Sequence, residues 1–287
     1  MSQSLADRHV LITGGSHGIG FACAKECLDR GASVTIVARN ADSLEEARRT
    51  LTTASSEARV AAERCDVSDE AQVLRLFEGI AKRGKLDGVV HAAAILGPIG
   101  NSLDVKPLAW WETVQTNLFG TFLVVRASAG LMRESGGGRI VAFSGGGAAS
   151  PFPNYTAYAV SKVAVVRFVE TVAIEFAPFG IEINALAPGF VATRIHAETL
   201  AAGPVAAGAA FFENTKAVVD GGGVSPQLGA AAAAFLISPA AKGITGKLVA
   251  AQWDGYEQWS DHLSELTDGD LFTLRRILPK DRGLDWQ

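Results

Sequence analysis

Val10-Leu11-Ile12-Thr13-Gly14-Gly15-Ser16-His17-Gly18-Ile19-Gly20 is the stretch whose reading decides the fold. An apolar run reads as a strand, a glycine cluster turns the chain, and Ile19 to Leu28 follows with helical spacing. A turn of this kind leaves the first N–H groups of the helix unpaired and, with the aligned peptide dipoles, aims them at an anion. A pyrophosphate is expected there, held without a metal. Gly14 supplies backbone angles closed to other residues, Gly18 permits close phosphate approach, and Gly20 lets helix and sheet lie tightly together. A glycine-rich turn with no ligand is the bland alternative, weakened by the strand before it and the helix after it.

Working outward, a second strand over Ser33 to Ala38 follows Gly31 and ends at Arg39-Asn40, where a nucleotide fold places its ribose-reading residue. No Asp or Glu occupies that strand end. An acid there would bond a free 2'-hydroxyl and repel a 2'-phosphate, whereas the planar guanidinium of Arg39 suits the phosphate. NADP(H) is therefore expected over NAD(H), against the alternative that Arg39 is a solvated surface cation. His17 adds a donor near the same place, although a neutral imidazole contributes little charge.

Far downstream, Tyr158-Ala159-Val160-Ser161-Lys162 lies in a pattern that reads as a helix from Tyr158 to Phe176, so Tyr158 and Lys162 share a face. A tyrosine hydroxyl can donate a proton to a carbonyl oxygen or take one from an alcohol, but its ordinary pKa near 10 makes it a poor base. A neighbouring ammonium favours tyrosinate and offers a hold on a ribose. The pair alone is common by chance. Tyr155 is the nearest competitor, and four residues beyond it stands Ala159 rather than a cation.

Thr13 to Gly20, Asn117, the Tyr158 to Lys162 motif and Pro188-Gly189 together resemble the classical short-chain dehydrogenase/reductase family, over about residues 5 to 255. The resemblance implies a single-domain, Rossmann-like, doubly wound α/β fold, with a mainly parallel seven-stranded sheet flanked by helices and hydride transfer between a nicotinamide and a carbonyl or alcohol. It implies that Asn117 stabilises a local helix distortion and a water linking Lys162 to solvent. Asp66, in Cys65-Asp66-Val67, would contact adenine, and Val67 and Ala92 would join the cofactor contacts. Past the Pro188-Gly189 turn, Val191 and Thr193 would meet the cofactor's diphosphate or carboxamide side. For Asn117 an ordinary helix residue, and for Asp66 a strand-end turn, are the plain alternatives.

Two positions depart from the family pattern. The expected Asn-Asn-Ala-Gly is His91-Ala92-Ala93-Ala94, which keeps small residues but loses the first amide and the last glycine. Aligning Gly138 to Phe143 as a strand puts Ser144 one residue before the usual catalytic serine and Gly145 on it. Ser144, the sole hydroxyl in Phe143 to Gly147, is expected to shift into reach as the oxyanion or substrate-orienting donor, with a structural strand-end serine as the alternative.

Composition agrees with this architecture. The 287 residues, 48% of them hydrophobic, can bury one large core, and a net charge of -4 without a basic tract gives no footprint for nucleic acid. No cationic segment leads into a secretory core and no apolar run reads as a membrane span, so a cytoplasmic enzyme is expected. Cys23, Cys27 and Cys65 read as core fillers. His196 and Glu198, two apart, do not make a metal site.

Strands are expected near 8–13, 33–38, 60–65, 87–91, 139–144, 180–186 and 246–251. The clearest helices cover Asp42 to Ala54, Asp69 to Lys82, Pro107 to Arg133 and Tyr158 to Phe176, with Ser225-Pro226 capping Gln227 to Ile237. Residues 194–224, rich in Ala and Gly without firm boundaries, are the expected substrate lid of a cofactor-binding catalytic domain over 1–255. The extension over 256–287 is expected to pack on that domain or on a partner subunit, Trp253 and Trp259 being candidates for substrate contact. The reading is an NADP(H)-linked carbonyl reductase with Tyr158 as acid or base, acting on a small molecule and forming a homodimer or homotetramer. An NAD-dependent alcohol or sugar dehydrogenase, and a non-catalytic cofactor-binding protein of the same fold, are the alternatives.

Overall fold

Apolar runs of four to six residues become strands here because helices cover them from both sides. In a computed structural model, which describes residues 3–53, 59–191 and 194–286, the strands are β1 (His9–Thr13), β2 (Ser33–Ala38), β3 (Val60–Arg64), β4 (Gly88–His91), β5 (Gly138–Phe143), β6 (Ile181–Ala187) and β7 (Leu248–Ala250). All pair in parallel in one seven-stranded sheet, ordered β3-β2-β1-β4-β5-β6-β7. Alternation sorts the side chains. Val10 and Ile12 face one core with α1 (Gly18–Asp29) and α9 (Pro226–Leu236), and Leu11 faces the other with α3 (Glu70–Ala81), α5 (Gly120–Glu134) and α6 (Thr156–Phe176). The order reverses between β1 and β4, so the carboxyl ends of those strands part into a crevice, the place where such sheets bind ligands.

Local chemistry accounts for most helix boundaries. Ser225 accepts from the Gln227 N–H and Pro226 stands in the first turn of α9, while Asp69 accepts from Gln72 N–H to start α3. The expected helix over 42–54 is α2 (Ala41–Thr53), whose last expected residue lies outside the described ones. The expected helix from Pro107 to Arg133 is continuous but widens for one turn, the local distortion that the resemblance implies at Asn117. It runs as α4 (Pro107–Val114), a π-turn over Gln115–Phe119 and then α5. The extra residue per turn is absorbed where Asn117 leaves the helix face to bond the chain after β4, and periodicity does not carry that tertiary bond.

Residues 194–220, within the stretch expected to form the lid, are helical. They form α7 (Arg194–Ala207), kinked where Gly203 takes φ 78° before Pro204, and α8 (Ala209–Asp220), entered through Gly208 at φ 84°. The carboxyl-terminal extension contains α10 (Leu263–Asp268) and buries Tyr256, Trp259 and Leu266 in the first core. Trp259 lies against Phe272 with ring centroids 4.1 Å apart, whereas Trp253 is 78% exposed. The Phe272 carbonyl accepts the outward Leu248 N–H at 2.8 Å, and Leu274 N–H donates to Glu170 Oε1 at 2.6 Å. The extension thereby occupies part of the β7 edge that would otherwise present unpaired groups. No described helix is long and apolar enough to cross a membrane.

Candidate active site

The β1–α1 turn has the shape of a diphosphate cradle. Gly14 takes φ 68°, and a Cβ there would stand 2.9 Å from Ala93 N; a Cβ on Gly20 would stand 2.2 Å from the Gly14 carbonyl oxygen. His17 begins α1 in an extended conformation with no side-chain cap, so the leading N–H groups stay available to an anion. Ser16 Oγ and His17 Nδ1 lie 2.9 Å apart beside them. From this turn a groove of about 600 Å³ runs along Gly18 and Ile19, past Arg39 and Ser43, to Ala92, Leu96, Thr116 and Glu198. The bare backbone, the uncapped helix and the groove fit a dinucleotide.

At the end of β2, Arg39 lines the groove with its Nη1 3.8 Å from Asp66 Oδ2. Both side chains are substantially exposed, so this pair adds little. Asp66 Oδ1 accepts from Ser68 N–H at 3.0 Å and Ser68 Oγ at 2.6 Å, while its neighbours Cys65 and Val67 form the groove wall. The structure thus places Asp66 in its own turn, beside the groove. Pro188 packs against Gly229, Gly189 takes φ 85°, and Val191 pairs with Val224 across a single bridge. Thr193 lies outside the described residues.

Asn117 ties three segments together. Its Oδ1 accepts the Ile95 N–H at 2.8 Å; its Nδ2 donates to Ile95 O at 2.9 Å and to Ser161 Oγ at 3.0 Å. Ser161 in turn donates to Tyr158 O at 2.7 Å. The π-turn, the post-β4 chain and the start of α6 are therefore held in one register. Ser161 was missed by sequence reasoning. Its signal, a small hydroxyl three residues after Tyr158, is indistinguishable from an ordinary helix serine until Asn117 is placed beside it.

Lys162 is 3% exposed and donates from Nζ to Phe143 O at 2.8 Å; Nζ also lies 5.5 Å from the centre of the Tyr158 ring. Burial pushes the Tyr158 hydroxyl up to about 12 and draws Lys162 down to about 8. Desolvation therefore outweighs the attraction to tyrosinate expected from the sequence, and at neutral pH Tyr158 stands protonated. A Cβ on Gly145 would lie 2.6 Å from Tyr158 Oη, so the tyrosine hydroxyl occupies the space where the family carries its serine. Ser144 is buried and its Oγ has no hydrogen-bond partner among the described residues, so Ser144 and Tyr158 are not hydrogen-bonded.

Around Tyr158 the surroundings are apolar. Leu96, Tyr155 and Ala207 form a buried cluster with it, joined by Phe152, Phe211 and Phe212. Phe152 stacks on Tyr155 at 4.3 Å, Phe211 of α8 meets Tyr155 edge-on at 5.2 Å, and Tyr155 Oη donates to Thr199 Oγ1 of α7 at 3.2 Å. Helices α7 and α8 are thereby fastened to the cluster around Tyr155, a connection that residues 194–224 do not advertise in their own sequence. His196 stacks on Phe190 at 3.9 Å, and no group of three metal-ligating side chains occurs among the described residues.

Comparison with known proteins follows the same lines. Residues 14–253 match the family described as "Enoyl-(Acyl carrier protein) reductase". The chain is 34% identical over 188 residues to levodione reductase of Leifsonia aquatica, spanning 65% of this chain and 70% of that protein. It is 34% identical over 190 residues to "Dehydrogenase/reductase SDR family member 4" of Homo sapiens, spanning 66% and 68% respectively. A solved actinorhodin polyketide ketoreductase with NADPH superposes with a TM-score of 0.76 at 30% identity, covering 87% of this chain and 96% of that one.

Proposed function

Since this chain belongs to the short-chain dehydrogenase/reductase family, we propose that it is an NADP(H)-linked carbonyl reductase, working on a ketone or aldehyde and, in reverse, on the corresponding alcohol. The observation that carries the reading is the groove that joins the glycine cradle to Ala92 and Leu96, the latter packed against Tyr158. Gly14 to Gly20 would hold the diphosphate and Arg39, with Ser43 and His17, the 2'-phosphate. A bound nicotinamide supplies or accepts the hydride. Tyr158 donates its Oη proton to the carbonyl oxygen in reduction and recovers one from the alcohol in oxidation. Its raised pKa keeps that proton in place at neutral pH, which suits reduction. The Lys162 ammonium lowers the cost of the transient tyrosinate, and Asn117 keeps both helices in register while this happens. The apolar cluster and lid exclude water from the transfer. Exposed Phe119, Phe122, Ile174 and Phe179 on and beside α5 and α6 suit self-association into a dimer or tetramer.

Cofactor choice is testable without a substrate. Wild-type protein is expected to bind NADPH at least about tenfold more tightly than NADH, roughly 1.4 kcal/mol, and Arg39→Asp to reverse the preference. Fluorescence titration of both nucleotides reads this directly. Equal affinities, or a ratio untouched by the substitution, would hand the choice to the NAD-dependent alcohol or sugar dehydrogenase, a reading favoured by the Asp66 carboxylate beside Arg39.

A further inference from the structure

Two buried groups beneath Lys162 have no part in the chemistry above. His91 at the end of β4 is 2% exposed and Ser144, just past β5, is 3% exposed. The register pairs His91 with Ala142, so Ser144, two residues further, projects from the same face of the sheet, the one covered by α6. Strand spacing and rise set their Cα atoms about 8 Å apart. His91 Nε2 and Ser144 Oγ both lack a protein hydrogen-bond partner among the described residues. Lys162 reaches the same place: its Nζ bonds the carbonyl of Phe143, next to Ser144, and its charge bears on His91.

Counting protons assigns the imidazole. Thr13 is fully buried, its Oγ1 accepts the Ala93 N–H at 3.2 Å, and the same oxygen lies 2.8 Å from His91 Nδ1. Only the Nε2–H tautomer gives the one hydroxyl proton of Thr13 an acceptor among these contacts, namely Nδ1. In that tautomer His91 presents a donor with no acceptor among the described residues, on the sheet face where Ser144 Oγ is also unpartnered and which α6, carrying Lys162, covers.

We propose that His91 Nε2–H, Ser144 Oγ and the Lys162 ammonium share one buried water, and that His91 is through it a positioning residue for the Tyr158–Lys162 pair. Three polar partners are what a buried water ordinarily has. This one accepts from Nε2–H and from Nζ–H and donates to Ser144 Oγ, giving the ammonium a second acceptor besides Phe143 O. Neutral imidazole does this while its Nδ1 accepts from Thr13, and burial together with the Lys162 charge holds His91 down at about 3. The titratable groups that face Lys162 among the described residues are Tyr158 on its own helix and His91 on β4; Asn117 and Ser161, on the neighbouring turns, carry no charge. The inference rests on the Tyr158–Lys162 chemistry proposed above.

The first test needs no turnover. A two-bond nitrogen–proton spectrum of the histidine rings at pH 7, with His91 assigned by its loss in His91→Asn, is expected to show the Nε2–H tautomer; the Nδ1–H tautomer overturns the proposal. The second reads the pH profile of kcat with NADPH and a broad carbonyl panel. His91→Leu removes the donor that anchors the water, so the ammonium loses an acceptor and the alkaline limb is expected to move to lower pH by at least about 0.5 unit. His91→Asn, which retains an N–H, is expected to recover at least half of that shift, and Ser144→Ala to move the limb in the same direction as His91→Leu. A folded His91→Leu or Ser144→Ala protein with a wild-type profile overturns the proposal. If His91→Leu does not fold, Ser144→Ala and the tautomer decide. Failure of the wild type to turn over any carbonyl sinks the reductase reading and leaves the tautomer to judge this one.

Discussion

Tyr158→Phe is expected to lower the rate of the chemical step at least about 100-fold, about 2.7 kcal/mol of transition-state stabilisation, while NADPH affinity stays within about twofold of wild type. The ring is what packs: Tyr158 shares its buried cluster with Leu96, Tyr155 and Ala207, and phenylalanine keeps those contacts. What vanishes is the proton that the carbonyl oxygen must receive. Neither neighbour replaces it, because Gly145 has no side chain and Ser144 Oγ does not reach the tyrosine hydroxyl. Single-turnover measurement of NADPH oxidation, alongside a melting curve, separates the two effects. Near-normal hydride transfer would remove Tyr158 from its assigned role and bring the non-catalytic alternative forward.

Gly20→Ala is expected to have the second large effect, on binding and stability together. The added methyl would sit 2.2 Å from the Gly14 carbonyl oxygen and 2.7 Å from its carbon, both backbone atoms of a turn that Ala92 and Ala93 already confine. No rotamer relieves a clash between a Cβ and a carbonyl, so α1 must slide away from β1. Overpacking of this sort costs about 1–3 kcal/mol or more, a fall in Tm of several degrees for a chain of this size. Sliding α1 also withdraws the uncapped N–H groups from the phosphate site, so NADPH affinity is expected to fall at least tenfold. Wild-type Tm and Kd in this variant would mean that the cradle is not built on close approach at Gly20.

The cradle and the proton pair are local: Gly14, Gly18 and Gly20 lie within one turn, and Tyr158 and Lys162 within one turn of helix, so spacing alone brings their groups together. Strand and helix identities were legible for the same reason, since burial on both faces of a parallel sheet imposes continuous apolar runs that sequence displays. Boundaries moved by a few residues where backbone hydrogen bonds, rather than side chains, end an element, as at the start of α6.

What could be read along the chain was the strand and helix pattern, the glycine turn after β1, Arg39 at the end of β2 and the helical spacing of Tyr158 and Lys162, each carried by neighbouring residues, while the doubly wound architecture came with the family resemblance. Tertiary structure alone decided the rest. The π-turn exists because Asn117 bonds Ile95 and Ser161, twenty-two and forty-four residues away. Helices α7 and α8 are fastened where they lie because Phe211 and Thr199 find Tyr155. Ser144 is buried just past β5, and His91 Nδ1 lies 2.8 Å from the hydroxyl of Thr13, seventy-eight residues earlier. The direction of the tyrosine's shift also came from the fold, since burial, a property of the folded whole, pushes Tyr158 up to about 12.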